Sequence, residues 1–206
     1  DEFRWHVSTE DGGEYVAQFL VSGVGGLHIP RFPDIEGIDE FAGAAFHSAQ
    51  WDHTVDLTGK RVAVIGTGAS AIQIVPAIVD RVAELQLYQR TPPWVVPVPH
   101  QPLPNAVRRA FAIVPGLRLS VRAAIYWALE GVGFAMTKRP GLLRLIEALG
   151  KLNIRRQVRV KDLRRKLTPR YRAGCKRILY SGKNYYGAVA DPTTTLITER
   201  ISRITP

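Results

Sequence analysis

KRVAVIGTGASAIQIVPAIVDRVAELQLYQRT, residues 60–91, decides the fold. It opens with Arg61-Val-Ala-Val-Ile65, an apolar and β-branched run without alternation, which suits a parallel strand covered on both faces. The run breaks into Gly66-Thr-Gly68-Ala-Ser-Ala71, after which Ile72, Ile74, Val75, Ile78 and Val79 recur near helical spacing. A second apolar run, Leu85-Gln-Leu-Tyr-Gln89, ends on Arg90. Strand, glycine turn, helix and strand make one βαβ unit of a dinucleotide-binding fold.

Each position of the turn has a physical reason. Gly66 allows the tight strand-to-helix turn, Gly68 lets the backbone approach a pyrophosphate, and Ala71 lets helix and strand pack closely. Thr67, Ala69 and Ser70 complete the turn and are read with it as cofactor-binding. Phosphates would sit on the free N–H groups at the helix N-terminus, where the dipole favours anions. A site for NAD places Asp or Glu at the end of the second strand to accept from the ribose 2′-hydroxyl. Here Arg90 stands there, 24 positions after Gly66. A guanidinium has no acceptor for a hydroxyl but attracts a 2′-phosphate, so NADP(H) is the expected cofactor. The plainer alternative is a surface arginine at a strand end.

The chain's 206 residues suffice for one good core, or one and a half domains. One cysteine, Cys175, excludes an internal disulfide framework and fits a reducing, cytoplasmic compartment. No signal peptide and no uninterrupted apolar run of about 18 residues is visible, so neither secretion nor a membrane span is expected. No metal site is assigned. The net charge of +10 is concentrated: residues 104–183 hold 20 Lys and Arg against Glu130, Glu147 and Asp162, a net of +17.

Along the chain, residues 1–22 read as a β-hairpin, with Phe3–Val7 and Tyr15–Val21 joined by Asp11-Gly12-Gly13. Two strands alone are marginal, so they should belong to a larger sheet. Ser22–Gly26 with Pro30 and Pro33 read as an interdomain hinge. Six prolines between Pro92 and Pro104 exclude regular helix there. Residues 105–167 read as an all-helical insert with breaks near Pro115-Gly116 and Arg139-Pro140-Gly141. Ala110, Val114, Leu117, Val121, Ile125 and Leu129 form one apolar stripe, and Leu142, Leu145, Ile146 and Leu149 another. Leu179-Tyr180, Asn184-Tyr-Tyr186 and Thr195–Thr198 return to α/β patterning, the last as a further parallel strand.

Phe41, Gly43, His47, Trp51 and Asp52 match the signature F-x-G-x-x-x-H-x-x-x-W-[P/D], and on them the chain resembles the Baeyer–Villiger monooxygenases. Ser48 and Asp52 depart from the more familiar H-T-x-x-W-P form. Trp51 favours this branch over the related N- and S-oxygenating flavin monooxygenases. Further matches are Lys60–Ala71, similar to the family's NADPH-binding glycine motif, and Gln89-Arg90-Thr91-Pro92, similar to its 2′-phosphate site. Gly174-Cys175-Lys176-Arg177 resembles the segment with the catalytic arginine. The resemblance implies that Arg90 and Thr91 hold the 2′-phosphate and that Lys176 adds a second cation there. It also implies that Arg177 stabilises the anionic peroxyflavin and the nicotinamide, a task suited to a forked, permanently charged donor. His47 and Trp51 would couple NADP binding to domain orientation. Without the resemblance, His47 and Trp51 read as packing residues, and Lys176 and Arg177 as two more bases in a basic region.

The implied fold is α/β: a Rossmann-like dinucleotide-binding domain, residues 27–206, with the helical insert at about 105–167. Residues 1–26 would be a β-hairpin remnant of a neighbouring FAD domain with the hinge. The family's N-terminal FAD motif is expected before Asp1, so the chain reads as a fragment, inactive alone, of an FAD- and NADPH-dependent monooxygenase. That enzyme would insert oxygen from O2 next to a ketone carbonyl, giving an ester or lactone. Alternatives are N- or S-oxygenation of a heteroatom substrate, or a non-catalytic NADP-binding module. Pro93-Trp94 is a guess at a substrate-pocket wall. The basic insert reads as a solvated face with weak contact to an acidic membrane surface as the sharper option. No nucleic-acid partner is expected, because Tyr126 and Trp127 fall in the apolar helix rather than on a stacking platform.

Overall fold

A computed structural model describes residues 3–98, 102–176, 178–181 and 184–206. The chain divides into two compact units, Asp1–His53 with Arg203–Pro206, and Thr54–Ser202. Residues 27–53, expected to begin the nucleotide-binding part, group with the hairpin.

In the first unit, β1 (Trp5–Ser8) pairs antiparallel with β2 (Glu14–Ala17), in the register Trp5 opposite Ala17. The return strand is shorter than the apolar run to Val21 suggested, and it joins no larger sheet among the described residues. Asp11 accepts from Thr9, and Gly12 takes φ +86°, which a side-chain-bearing residue rarely adopts. Residues 18–35 contain no strand or helix. Beyond them Glu36 bridges in parallel to Arg203, whose guanidinium also reaches Glu40 at 2.9 Å.

The second unit is built on a parallel sheet. β3 (Arg61–Ile65) leads through the glycine turn into α1 (Ala71–Ile78) and then β4 (Glu84–Tyr88). The chain continues through β5 (Trp94–Pro97), α2 (Asn105–Ile113), α3 (Leu117–Thr137), a short 3-10 turn at Pro140–Leu143, α4 (Arg144–Gln157) and α5 (Lys161–Leu167). It closes with β6 (Ile178–Ser181), α6 (Tyr185–Val189) and β7 (Thr194–Ile197). β4 lies between β3 and β7, all parallel, and β5 pairs in parallel with β6. The fold is mixed α/β, as read from the sequence, and Thr195–Thr198 does supply a parallel strand.

Register sorts the sheet's two faces. Val62, Val64, Leu85, Leu87 and Leu196 join Ile72, Val75 and Ile78 of α1 and Ala188 and Val189 of α6 in one apolar cluster. On the other face Ala63 and Ile65 are exposed, Ile65 by 45%. β3 is therefore covered on one face only among the described residues, not on both as its apolar run suggested. Along the open face of β4, Tyr88 donates to Gln86 at 3.0 Å and Gln86 to Glu84 at 2.8 Å. These side chains satisfy one another where no apolar layer meets them.

The insert is helical with both expected breaks, plus a third at Val158–Val160. The stripe from Ala110 to Leu129 is interrupted, because α2 and α3 meet at 110° and Val121, Ile125 and Leu129 are exposed. The second stripe is also displaced: Leu145 and Leu149 are exposed, while Gly150, Asn153 and Ile154 of α4 are buried. Gly150 matters because α4 lies against β5, where a Cβ at that position would come within 2.9 Å of the Trp94 ring. Trp94 is 1% exposed and clusters with Ala135, Leu143 and Ala173, so it is core rather than a substrate-pocket wall. β5 itself lies inside the proline-rich stretch, whose prolines excluded helix but not a short strand.

Candidate functional site

The glycine turn is shaped as the sequence requires. Gly66 donates its N–H to Tyr88 O at 2.9 Å, extending the β3–β4 ladder one residue past the strand, and then turns the chain at φ +105°. A Cβ built on Gly68 would meet no protein atom within 4 Å, and Gly68, Ala69 and Ser70 are exposed. Protein packing therefore does not demand a glycine at position 68, and the space above it is open to a ligand. Helical bonding starts with Ile72 N–H to Gly68 O at 3.1 Å, and Ser70 makes no side-chain cap. The N–H groups of Ala69, Ser70 and Ala71 thus have no protein acceptor among the described residues. Unpaired donors at the start of α1, with the helix dipole behind them, form an anion-binding surface.

The end of β4 lies beside this turn. Thr67 Oγ1 donates to Thr91 O at 3.2 Å, linking the glycine turn to the residue after Arg90. Gln89 is 2% exposed; its N–H donates to Ile197 O at 2.8 Å and its amide to Lys166 O at 3.0 Å. That buried glutamine fixes the strand end, so Arg90 emerges exposed, without an ion pair among the described residues. Thr91 is half-buried. A free guanidinium beside a hydroxyl and a set of free N–H donors fits a phosphorylated dinucleotide.

Lys176 is linked to Pro92 by way of Tyr171. The Tyr171 hydroxyl donates to Pro92 O at 2.9 Å, and the Lys176 ammonium lies 5.2 Å from the Tyr171 ring centroid. Arg177 lies outside the described residues. Sequence reasoning assigned no role to Gln89 or Tyr171. Gln89 stands directly before Arg90 and Tyr171 five residues before Lys176, so each left only a faint signal.

The signature residues sit in the first unit. His47 O accepts from Gln50 N–H at 2.8 Å and His47 Nδ1 from Ala49 N–H at 3.1 Å, so the motif is a tight turn. The Phe32 ring meets His47 edge-on at 6.0 Å, and Phe46 meets Trp51 edge-on at 5.0 Å. His47, Trp51 and Asp52 are half-buried, while Phe41 and Gly43 are exposed. These contacts describe packing within that unit. Among the described residues no group of His, Cys, Asp and Glu could hold a metal ion.

A pyridine nucleotide-disulphide oxidoreductase family model matches residues 1–108. The chain is 48% identical over 201 residues to a Baeyer–Villiger monooxygenase of Pseudomonas aeruginosa, covering 98% of this chain and 38% of that protein. Among solved structures it is similar to the OTEMO complex with FAD and NADP, at TM-score 0.76 and 27% identity, covering 98% of this chain and 46% of that one. It is likewise similar to cyclohexanone monooxygenase from Rhodococcus sp. Phi1 bound to NADP+, at TM-score 0.72 and 27% identity, covering 95% and 43%. The chain thus spans less than half the length of each of these proteins.

Proposed function

The chain belongs to the pyridine nucleotide-disulphide oxidoreductase family, and from that premise we propose that it is the NADPH-binding portion of a Baeyer–Villiger monooxygenase, a ketone-oxygenating enzyme. The observation that carries this reading is the exposed Arg90 at the end of β4, tied through Thr91 to a glycine turn with unpaired N–H donors. The pyrophosphate would rest on the N–H groups of Ala69, Ser70 and Ala71, and Arg90 with Thr91 would take the 2′-phosphate. Lys176 would supply a second positive charge. Bound NADPH supplies a hydride, and FAD in the intact protein supplies the oxygen-activating chemistry.

The described residues offer a single glycine turn between strand and helix, so none of them is assigned to FAD. We propose that turnover needs more than this chain and that Arg177 has a catalytic role at the flavin and nicotinamide. The proposed partners are a ketone and O2. Comparing ester with sulfoxide products made by the intact protein separates ketone from heteroatom oxygenation. A cytoplasmic location, supported by the lone cysteine, is checked by cell fractionation.

The direct test is a calorimetric titration with NADPH and with NADH. We expect a clear preference for NADPH, and Arg90→Ala weakens NADPH about 10- to 100-fold, as for a lost charge-assisted hydrogen bond. Equal binding of both nucleotides removes Arg90 from its role. Binding of neither by the folded protein overturns the reading.

A second observation supports weak contact of the insert with an anionic membrane surface, which we also propose. Among the described residues no single helix is long and apolar enough to cross a membrane. Yet every residue of α3 from Val121 to Gly131 is exposed, and only Arg122 and Glu130 among them are charged. An exposed helix with so few charges calls for apolar surroundings, and the +17 segment around it matches anionic headgroups and repels a second copy. Flotation of the intact protein with anionic vesicles should resist moderate salt and fail in Ile125→Asp. Binding lost at moderate salt and indifferent to Ile125→Asp is mere charge attraction and refutes this contact.

A further inference from the structure

The loop that presents Lys176 is held far more firmly than an exposed lysine requires. Tyr171 O accepts from the Trp94 indole N–H at 2.9 Å, and Ala173 N–H donates to Glu147 of α4 at 3.1 Å. Gly174 takes φ +90°, with space for a Cβ limited by Leu143 at 3.0 Å, and Cys175 N–H closes onto Arg172 O at 3.2 Å. Trp94 is itself core, and it opens β5 three residues after Thr91. Tyr171 therefore joins both sides. Its carbonyl grips the start of β5, its hydroxyl grips Pro92, and its ring carries the Lys176 ammonium.

We propose that Tyr171 is a positioning residue for nucleotide choice, holding the Lys176 ammonium beside the Arg90–Pro92 segment so that the second cation is in place before a 2′-phosphate arrives. This rests on the NADPH reading above. An unrestrained lysine loses side-chain entropy when it engages a phosphate. A ring beneath the ammonium restricts it in advance, while the hydroxyl bond keeps that ring on the phosphate side. Burial raises the Tyr171 pKa, so the hydroxyl stays a donor throughout the neutral range. The effect concerns the 2′-phosphate alone, because nothing in this contact set reaches the glycine turn.

The test is nucleotide binding by the intact protein in a double-mutant cycle. In Tyr171→Leu the NADPH Kd rises about fivefold, the size of an exposed cation–π contact, and the NADH Kd stays put. In Tyr171→Phe, which keeps the ring, the NADPH loss is smaller, about twofold. In a Lys176→Ala background neither Tyr171 substitution weakens NADPH further. Equal weakening of NADPH and NADH, or an undiminished loss in the Lys176→Ala background, overturns the proposal and leaves Tyr171 a packing residue. Should Tyr171→Leu fail to fold, Tyr171→Phe decides by the same cycle. A wild-type protein without NADPH preference refutes the parent reading instead, whereas NADPH preference unchanged in both variants refutes only the role of Tyr171.

Discussion

The hydroxyl of Thr67 donates to the carbonyl of Thr91 at 3.2 Å across 24 positions of chain. Thr67 belongs to the turn proposed for the pyrophosphate and Thr91 to the arm proposed for the 2′-phosphate, so this hydrogen bond, beside that of Gly66 N–H to Tyr88 O, ties the two anion sites together.

Removing that donor without changing shape should loosen the arm. Thr67→Val should raise the NADPH Kd about fivefold, corresponding to roughly 1 kcal/mol for one neutral hydrogen bond, and raise the NADH Kd less. Thr67→Ser should restore most of the loss. Equal losses for the two nucleotides would place the effect at the glycine turn itself.

Gly150 lets α4 approach β5. An alanine there gains up to about 1 kcal/mol of helix propensity, but its Cβ would lie 2.9 Å from the buried Trp94 ring. That ring cannot swing aside without losing its bond to Tyr171 O. Gly150→Ala should cost a net of about 1 to 2 kcal/mol through overpacking, and shift Trp94 fluorescence. Unchanged denaturant stability with an unchanged spectrum would show that the helix simply moves away.

In the first unit Gly37 has φ +78°, and a Cβ on it would collide with the Ile204 carbonyl oxygen. Gly37→Ala should break the bridge between Glu36 and Arg203, in which Ile204 N–H donates to Glu36 O at 2.8 Å. Hydrogen exchange at the Ile204 amide should accelerate about 5- to 150-fold, the consequence of losing roughly 1 to 3 kcal/mol to backbone strain. An amide as protected as before would count against the tie between this turn and the chain's C-terminal residues.

Alkaline pH should unfold the protein partly through Tyr185 and Tyr186. Burial pushes both phenols well above the usual value of 10.0, most strongly through desolvation. Their folded pKa lies above the unfolded one, so the stability they contribute is complete below about pH 10 and is lost as pH rises beyond it. Tyr185 OH is buried without a partner, so Tyr185→Phe should be neutral or stabilising at pH 7 and should flatten the alkaline decline. Urea midpoints measured from pH 8 to 11 check both points, and an equally steep decline in the variant would contradict this account.

Periodicity and glycine chemistry are local, and the sequence alone determined what they govern. The β3–α1–β4 unit, the positive φ of Gly66, the position of Arg90 at a strand end, the two breaks in the insert and the β7 strand all follow from residues close in the chain. Tertiary structure decided what depends on distant residues. Whether β3 is covered on one face or two depends on which layers meet it, and Ile65 lies on the uncovered face. From sequence Trp94 is a guess at a pocket wall, and only the approach of α4 at Gly150 makes it core. The sequence placed a break near Pro115-Gly116, but the 110° angle between α2 and α3, which divides the apolar stripe, came only from the structure. Tyr171 and Gln89 acquire their places only from partners 77 or more positions away, Lys166, Trp94 and Pro92, whose proximity no spacing along the chain encodes.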